Sequence, residues 1–160
     1  MVKGYLKFDG RVRKMNDQVK PRQTEANDKR TEHAFDTVKT IAGKDKNFQR
    51  EFRSAARSFP TIVHNNGLSA AIAFLGVKMS DKDKNEKDNQ HDLLYDALKG
   101  WLVEIGRVSI SENETDKKAK VLLEAVIKIP RDEYRIITEE VMVYSQWIKR
   151  FAEGMLSKDG

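Results

Sequence analysis

The amino-acid sequence predicts an all-α protein, a single-domain bundle of about five to six helices. Apolar residues recur with the helical period through most of the chain. Proline occurs at only three positions, where it can begin or end a helix. The 160 residues suffice for one core that buries roughly 70% of the unfolded surface. The expected organisation is a basic flexible arm over residues 1–21, followed by a helical bundle domain over residues 22–160.

The N-terminal part of the chain changes character near Pro21. Residues 1–20 contain two glycines and six basic side chains without sustained periodicity, which predicts a mobile arm. A first helix is expected from Arg22 to about Ala42, because apolar residues recur there and Gly43 follows as a stop signal. A second helix is expected to begin near Lys44.

The stretch "FPTIVHNNGLSAAIAFLGVK", residues 59–78, has the apolar density of a buried helix. Pro60 either kinks the second helix or begins a new one. We favour a third helix that starts at Pro60 and runs to about Met79, because the N–H that proline lacks has no partner in the first turn of a helix. Gly67 is expected to allow close approach of a neighbouring helix, which would make this helix central in the bundle. Residues 80–89 form a polar linker.

Three further segments follow the linker. A fourth helix is expected to include residues 91–105, and the last and longest to run from Pro130 to about Leu156. Between them, residues 117–129 predict a shorter helix, although their β-branched run also fits a strand. The last helix carries a second apolar line besides its core-facing seam, and this line comprises Ile136, Val143 and Trp147. A helix with two apolar sides is either central or contacts another protein.

The charge distribution is uneven along the chain. The formal net charge is +5, but residues 1–60 contain 15 basic and 8 acidic side chains, whereas residues 61–160 contain 15 and 17. The basic excess therefore lies in the first part. Such asymmetry indicates a polyanionic partner, either nucleic acid or an acidic protein face, and a solubilising surface is the alternative.

The second helix has the sharpest pattern of the chain. Four basic residues fall within roughly 60° of one another on a helical projection, and they are Lys46, Arg50, Arg53 and Arg57. A similar arc on the opposite side comprises Phe48, Phe52, Ala55 and Phe59. Because like charges at i,i+4 repel, the basic stripe indicates an RNA backbone, with an ordinary solvated face or an acidic protein partner as alternatives. Lys149 and Arg150 are further RNA-binding candidates, although cations near a helix C-terminus also favour its dipole.

Several classes of function find no support in the sequence. The apolar stretch contains His64, Asn65, Asn66 and Gly67, so no membrane span is predicted. The N-terminus lacks a secretory h-region and the chain has no cysteine, which predicts a cytoplasmic protein. Three histidines give no metal-binding spacing, and no cofactor is predicted. Residues 81–92 begin like a calcium-binding loop but lack its glycine and its final glutamate.

An enzyme is the alternative from another class of function. Arg57 and His64 form an Arg-x6-His pattern that resembles that of helical HEPN-type ribonucleases, in which arginine would stabilise phosphorane charge and histidine would transfer the proton. Pro60 interrupts this segment, so the two side chains need not share a face. A helical adaptor that binds only protein is a third possibility.

Three segments resemble a known family, the small helical subunit of the Cmr complex of type III-B CRISPR systems. The first is residues 59–78, through Pro60, the Asn-Gly-Leu beginning at Asn66 and the Ala-Phe-Leu beginning at Ala73. The others are "LLYDALKGWL", residues 93–102, and "EEVMVYSQWIKRFAEGML", residues 139–156. The resemblance extends from about residue 22 to the C-terminus, and neither the arm nor the linker matches a motif of the family.

The resemblance implies a helical bundle that is present in several copies and lines the inner side of a ribonucleoprotein filament, beside the guide and target RNA. It also implies a subunit without nuclease activity that packs against the other Cmr subunits. Self-association of the isolated chain is left open. A protein that contacts RNA of any sequence is expected to bind phosphates, for which arginine on a rigid helix is suited.

Overall fold

The computed structural model describes residues 5–8, 11–14, 22–111, 114 and 119–158. Its helices are α1 Arg22–Ala42, α2 Lys46–Asn66, α3 Leu68–Lys78, α4 Gln90–Glu104, α5 Lys120–Ile127 and α6 Arg131–Met155. The prediction of an all-α bundle is therefore confirmed, and residues 120–127 are a helix rather than a strand. Among the described residues, no helix combines the length and the apolar character needed to cross a membrane.

A short hairpin precedes the bundle. Strands β1, Tyr5–Phe8, and β2, Arg11–Lys14, pair antiparallel, with Tyr5 opposite Lys14 and Phe8 opposite Arg11. These strands were not predicted from the sequence. The remainder of the stretch from residue 1 to 21 lies outside the described residues, so the flexible arm and the boundary that follows it stay predictions.

The break between α2 and α3 does not lie at Pro60, and the prediction of a new helix at this proline was wrong. Pro60 lies inside α2, which continues to Asn66, and Gly67 forms a one-residue corner with φ 85° and ψ 166°. The backbone N–H of Gly67 donates to the carbonyl of Val63 at 2.9 Å. A proline inside a helix forfeits one hydrogen bond, whereas the corner requires a backbone conformation that is essentially restricted to glycine.

Helix α6 packs along both α1 and α2 and forms the centre of the bundle. Its buried residues are Ile137, Val141, Tyr144, Ser145, Ile148 and Ala152. Polar groups are also satisfied at this junction: Arg30 on α1 donates to both carboxylate oxygens of Glu140, at 2.6 and 2.7 Å, and Trp101 Nε1 on α4 donates to Glu140 Oε1 at 2.9 Å. One carboxylate therefore ties three helices together.

Helix α3 is not fully enclosed, which corrects the expectation that it would be central. Its inner side is buried and comprises Leu68, Ala71, Ile72, Leu75 and Gly76. Its outer side remains exposed and comprises Ala70, Ala73, Phe74 and Val77. The apolar density that suggested a buried helix therefore reflects two apolar sides, of which the bundle covers one.

The linker after α3 is ordered by polar contacts. A single 3₁₀ turn, Lys82–Lys84, lies within it, and Asn89 caps α4 by accepting from the backbone N–H of His91 at 2.9 Å. The carboxylate of Asp92, which is buried, accepts from the backbone N–H groups of Ser80 at 3.0 Å and Asn89 at 2.8 Å. These bonds hold the start of α4 against the end of α3.

Candidate nucleic-acid interface

The start of α2 is fixed to its neighbours. Asp45 caps the helix by accepting from the backbone N–H of Phe48 at 3.0 Å. The side chain of Gln49 donates to the carbonyl of Ala42 at 3.0 Å and accepts from the backbone N–H of Ser157 at 3.1 Å. The end of α1, the start of α2 and the segment after α6 are thus joined through one amide side chain.

The apolar arc of α2 faces the core largely as predicted. Phe52 and Phe59 are fully buried, whereas Phe48 and Ala55 are half-buried at the edge of the core. Ala56, which the arc did not include, is also buried. The centre of the buried side is therefore displaced toward the basic stripe, so that the stripe borders α6 instead of lying directly opposite the core.

Two of the predicted basic residues contact the C-terminal part of α6 and the segment that follows it. Arg57 Nε donates to Glu153 Oε1 at 3.1 Å, and Arg50 Nε donates to the carbonyl of Lys158 at 3.1 Å. Together with the Gln49–Ser157 contact, these pairs show that α2 and α6 run antiparallel here. The four residues predicted from the stripe therefore line one edge of the groove between α2 and α6, which we call the basic groove.

Arg53 occupies the most constrained position in the basic groove. Its side chain is half-buried, and its Nε is shielded from solvent and has no hydrogen-bond partner among the described residues. Lys46, by contrast, is exposed at the start of the helix. A guanidinium whose stem is confined in this way loses less conformational freedom when it binds an anion than a fully mobile side chain does.

The structure separates the two candidates on α6. Lys149 precedes Glu153 by one helical turn, so both lie on the side of α6 that faces α2, and Lys149 belongs to the basic groove. Arg150 is exposed on a different side, where its guanidinium lies 5.2 Å from the centre of the Trp147 ring. Five of the six predicted residues therefore share one groove, and Arg150 does not.

Arg150 instead borders a row of aromatic rings between α1 and α6. Trp147 stacks on Phe151 with ring centres 5.4 Å apart, and Phe151 meets Phe35 edge-on at 5.5 Å. Phe35 is 40% exposed. Val143, on the apolar line that the sequence predicted, is also exposed. This side of α6 is thus an apolar surface with a cation at one end.

The structure shows how Arg57 and His64, the two residues of the enzyme alternative, are placed relative to each other. Because α2 continues through Pro60, Arg57 and His64 are seven residues apart on one helix and share a side. They are separated by a rise of about 10 Å along the axis. Arg57 also forms a partly exposed ion pair with Glu153. An arginine in this state is less suited to stabilise phosphorane charge than an unpaired one.

Sequence reasoning missed a cleft on the opposite side of α2. It lies between α2, α3 and α4, has a volume of about 240 Å³, and is lined by Glu51, Ser58, Phe74 and His91 among others. Burial and the charge of Lys78 lower the pKa of His91, which favours the neutral ring. The i,i+4 spacing of Lys149 and Glu153 could have predicted from the sequence that these two side chains share one side of α6. The cleft could not be predicted in this way, because it depends on how three helices pack against one another.

The fold and the groove define a class of protein: a small all-α bundle that presents basic side chains along a groove between two helices. The described residues include no group of three or more histidine, aspartate or glutamate side chains that could hold a metal ion.

The chain belongs to the Cmr5 family, because residues 26–155 match the family model described as CRISPR-associated protein (Cas_Cmr5). Members of this family are small subunits of the type III-B Cmr complex, so the resemblance of the sequence to the small helical Cmr subunit is confirmed. The fold is also similar to the crystal structure of a CRISPR-associated Cmr5 family protein from Thermus thermophilus, with a TM-score of 0.58 and 23% identity over 79% of this chain and 96% of that chain. The hairpin of β1 and β2 precedes the matched region.

Proposed function

We propose that the chain is a non-catalytic subunit of a cytoplasmic Cmr ribonucleoprotein in antiviral defence, and that its basic groove lies beside the guide and target RNA. The observation that carries this proposal is the alignment of basic side chains along a rigid groove. They are Lys46, Arg50, Arg53, Arg57 and Lys149. Cations spaced along a helix can contact successive phosphates without reading the bases, as a guide of any sequence requires.

The contacts to α6 support this role because they position the arginines. Arg50 and Arg57 each donate through Nε to the C-terminal part of the bundle, and no described residue accepts from the two terminal nitrogens of either guanidinium, which can therefore bind phosphate oxygens. Such preorganisation lowers the entropic cost of binding. Glu153 contacts one groove arginine, Arg57, and its charge limits the affinity of the isolated chain for RNA.

The apolar line on α6 supports packing against the other subunits of the complex. Ile136 is 44% exposed and Val143 is 43% exposed, and the half-buried Trp147 continues the line toward Phe151. Several exposed apolar side chains along one side of a helix are typical of a protein–protein interface. We therefore assign this line to contacts with neighbouring Cmr subunits and the basic groove to RNA.

The RNA role predicts a salt-dependent affinity for single-stranded RNA. If the four α2 cations contact phosphates, the logarithm of the association constant is expected to fall with the logarithm of salt concentration with a slope of about −3, from roughly −0.7 per contact. Reversing the charges of Arg50 and Arg53 is expected to flatten this slope to about half, since two contacts are removed. Fluorescence anisotropy of a labelled unstructured RNA across a salt series measures both.

The control is a double reversal of equal charge at Lys120 and Lys128, which are exposed at the two ends of α5. This variant is expected to keep the parental slope. Because Arg50 and Arg53 are half-buried, a second variant reverses the exposed Lys46 and Arg57. Thermal unfolding verifies that each variant is folded. Equal slopes in the parent and both groove variants would remove the groove from the RNA surface, as would an equal loss in the α5 variant.

Incubating the purified chain with the same RNA distinguishes the proposed function from the enzyme alternative. If the proposed function is correct, the RNA is expected to remain intact. If the chain is a HEPN-like ribonuclease, the RNA is expected to be cleaved, and both Arg57→Ala and His64→Ala are expected to abolish this cleavage. An adaptor that binds only protein expects no salt-sensitive affinity for RNA in any variant.

A further inference from the structure

The exposed side of α3 is apolar from Ala70 to Val77, and the ammonium of the exposed Lys78 lies 5.9 Å from the centre of the Phe74 ring. Ala70, Ala73, Phe74 and Val77 follow the i, i+3, i+4, i+7 spacing of one helix face, and all four are exposed. Phe74 is 37% exposed and Val77 is 81% exposed. We call these four residues the α3 face. The one charged residue of the helix, Lys78, lies at its end.

Within the described part of the chain, the α3 face has one ring contact, between Phe74 and His91, whose ring centres are 6.4 Å apart. The opposite side of the helix already supplies the core contacts through Leu68, Ile72 and Leu75, each of which is 1% exposed. A helix that is apolar on all sides is normally buried on all sides. The described residues leave most of the α3 face exposed, so a second molecule can bury it.

We propose that the α3 face binds the same face of a second copy of this chain, with the two helices antiparallel about a two-fold axis between Ala73 and Phe74. In this arrangement Ala70 lies opposite Val77 of the second copy, and Ala73 lies opposite its Phe74. Each large side chain therefore meets a small one, as close helix packing requires. A parallel pair would place Phe74 against Phe74 and leave the alanines facing a gap.

The charges next to the α3 face agree with the antiparallel pairing. The first turn of α6 lies beside the first turn of α3, because the hydroxyl of Tyr134 accepts from the backbone N–H of Ser69 at 3.0 Å. That turn carries Asp132 and Glu133. Antiparallel pairing brings Lys78 of one copy toward these carboxylates of the other. Arg131 lies in the same turn, so the three charged side chains together carry one net negative charge, which attracts Lys78.

The dimer is expected to be weak and reversible. Four side chains on an 11-residue helix provide much less than the roughly 800 Å² per partner of a standard interface. The α3 face is also separate from the basic groove, which lies between α2 and α6, so the pairing does not rest on the proposed RNA contact. Chemical trapping is therefore a more suitable measurement than size-exclusion chromatography.

The chain contains no cysteine, so single cysteines test the arrangement directly. Across the proposed axis, Ala73 of one copy and Ala73 of the other are displaced by only about 1.5 Å along the helices. Ala73→Cys is therefore expected to form a disulfide-linked dimer under mild oxidation, because its Cα separation falls within reach of a disulfide. In Val77→Cys the two cysteines are about 10 Å apart along the helices, so this variant is expected to remain monomeric.

The matched control is Val103→Cys, since Val103 is an exposed apolar residue on α4 with 43% exposure. Trapping of Ala73→Cys is expected to be at least about tenfold faster than that of Val103→Cys, because pairing raises the effective thiol concentration. Adding Phe74→Glu is expected to abolish the trapping of Ala73→Cys.

Two results would overturn the proposal. Equal trapping of the three cysteine variants would indicate random collision or a different arrangement. A monomeric Ala73→Cys whose melting temperature matches the parent would show that the α3 face binds no second copy. If added RNA or another Cmr subunit protects the introduced thiol of that monomer from alkylation, the face has a different occupant.

Discussion

Replacing Glu140 with glutamine is expected to lower the free energy of unfolding by about 3 kcal/mol. The carboxylate binds Arg30 through both oxygens and also accepts from Trp101 Nε1. The side chains of Arg30 and Glu140 are only 12% and 18% exposed. Glutamine retains the shape but presents an amide N–H₂ to the guanidinium, so the arginine charge stays partly buried without its counter-ion.

Thermal and urea unfolding of Glu140→Gln measure this effect. A loss of about 3 kcal/mol corresponds to a melting temperature lower by roughly 6–12 °C for a chain of this size. The adjacent Glu139→Gln is the matched control, because Glu139 is 71% exposed and pairs with the exposed Arg135. Its unfolding free energy is expected to change by less than about 0.5 kcal/mol. Equal stability of the two variants would show that the carboxylate does not hold the helices together.

The same carboxylate predicts how stability depends on pH. Burial alone would raise the pKa of Glu140, but the hydrogen bonds from Arg30 and Trp101, with the charge of Arg30, outweigh it and lower this pKa. The stabilisation is therefore present above the pKa of the unfolded chain, near roughly 4.3, and is lost as the pH falls through the lower pKa of the folded state. The difference in stability between the parent and Glu140→Gln is expected to narrow below about pH 4.

The sequence predicted those elements whose signals are local. The span of α1 was set by helical periodicity and by Gly43, and the structure places its end at Ala42. The apolar arc of α2 predicted the burial of Phe52 and Phe59 for the same reason. The helical period of apolar residues shows which side of a helix is apolar. It therefore predicts burial correctly for helices that pack a single apolar side into the core.

The sequence could not predict features that depend on the meeting of distant segments. The partner of Arg57, Glu153, is 96 residues away, and that of Arg30, Glu140, is 110 residues away. Such pairs leave no trace in periodicity. The cations of α2 were therefore expected to face solvent, whereas two of them contact α6 and the segment after it. The apolar outer side of α3 likewise could not be distinguished from a second core face.

Replacing Gly67 with valine is expected to lower the free energy of unfolding by about 3 kcal/mol. The sequence predicts a close helix crossing at Gly67, but a Cβ there would lie 3.9 Å from the Tyr134 hydroxyl, which is ordinary contact. The physical reason is the backbone. With φ 85° and ψ 166°, Gly67 occupies a region that is essentially accessible only to glycine, and a β-branched residue is strained most in it.

Gly67→Ala separates the two explanations. Backbone strain predicts that alanine already costs about 2 kcal/mol, because the penalty comes from Cβ itself. A crowded crossing predicts that alanine is nearly neutral and that only larger side chains destabilise. Urea unfolding of both variants measures the difference. A Gly67→Ala protein as stable as the parent would mean that the corner between α2 and α3 adopts another conformation.

Gly154 provides the opposite control within the same chain. It lies inside α6, and nothing is within 4 Å of a Cβ built on it. Gly154→Ala is therefore expected to raise the unfolding free energy by about 0.5 kcal/mol, since alanine restricts the unfolded chain and favours the helix. Opposite signs for the same substitution at residues 67 and 154 would show that the corner depends on backbone conformation. Because this corner sets the direction in which α3 leaves α2, it also determines whether the α3 face is presented away from the basic groove.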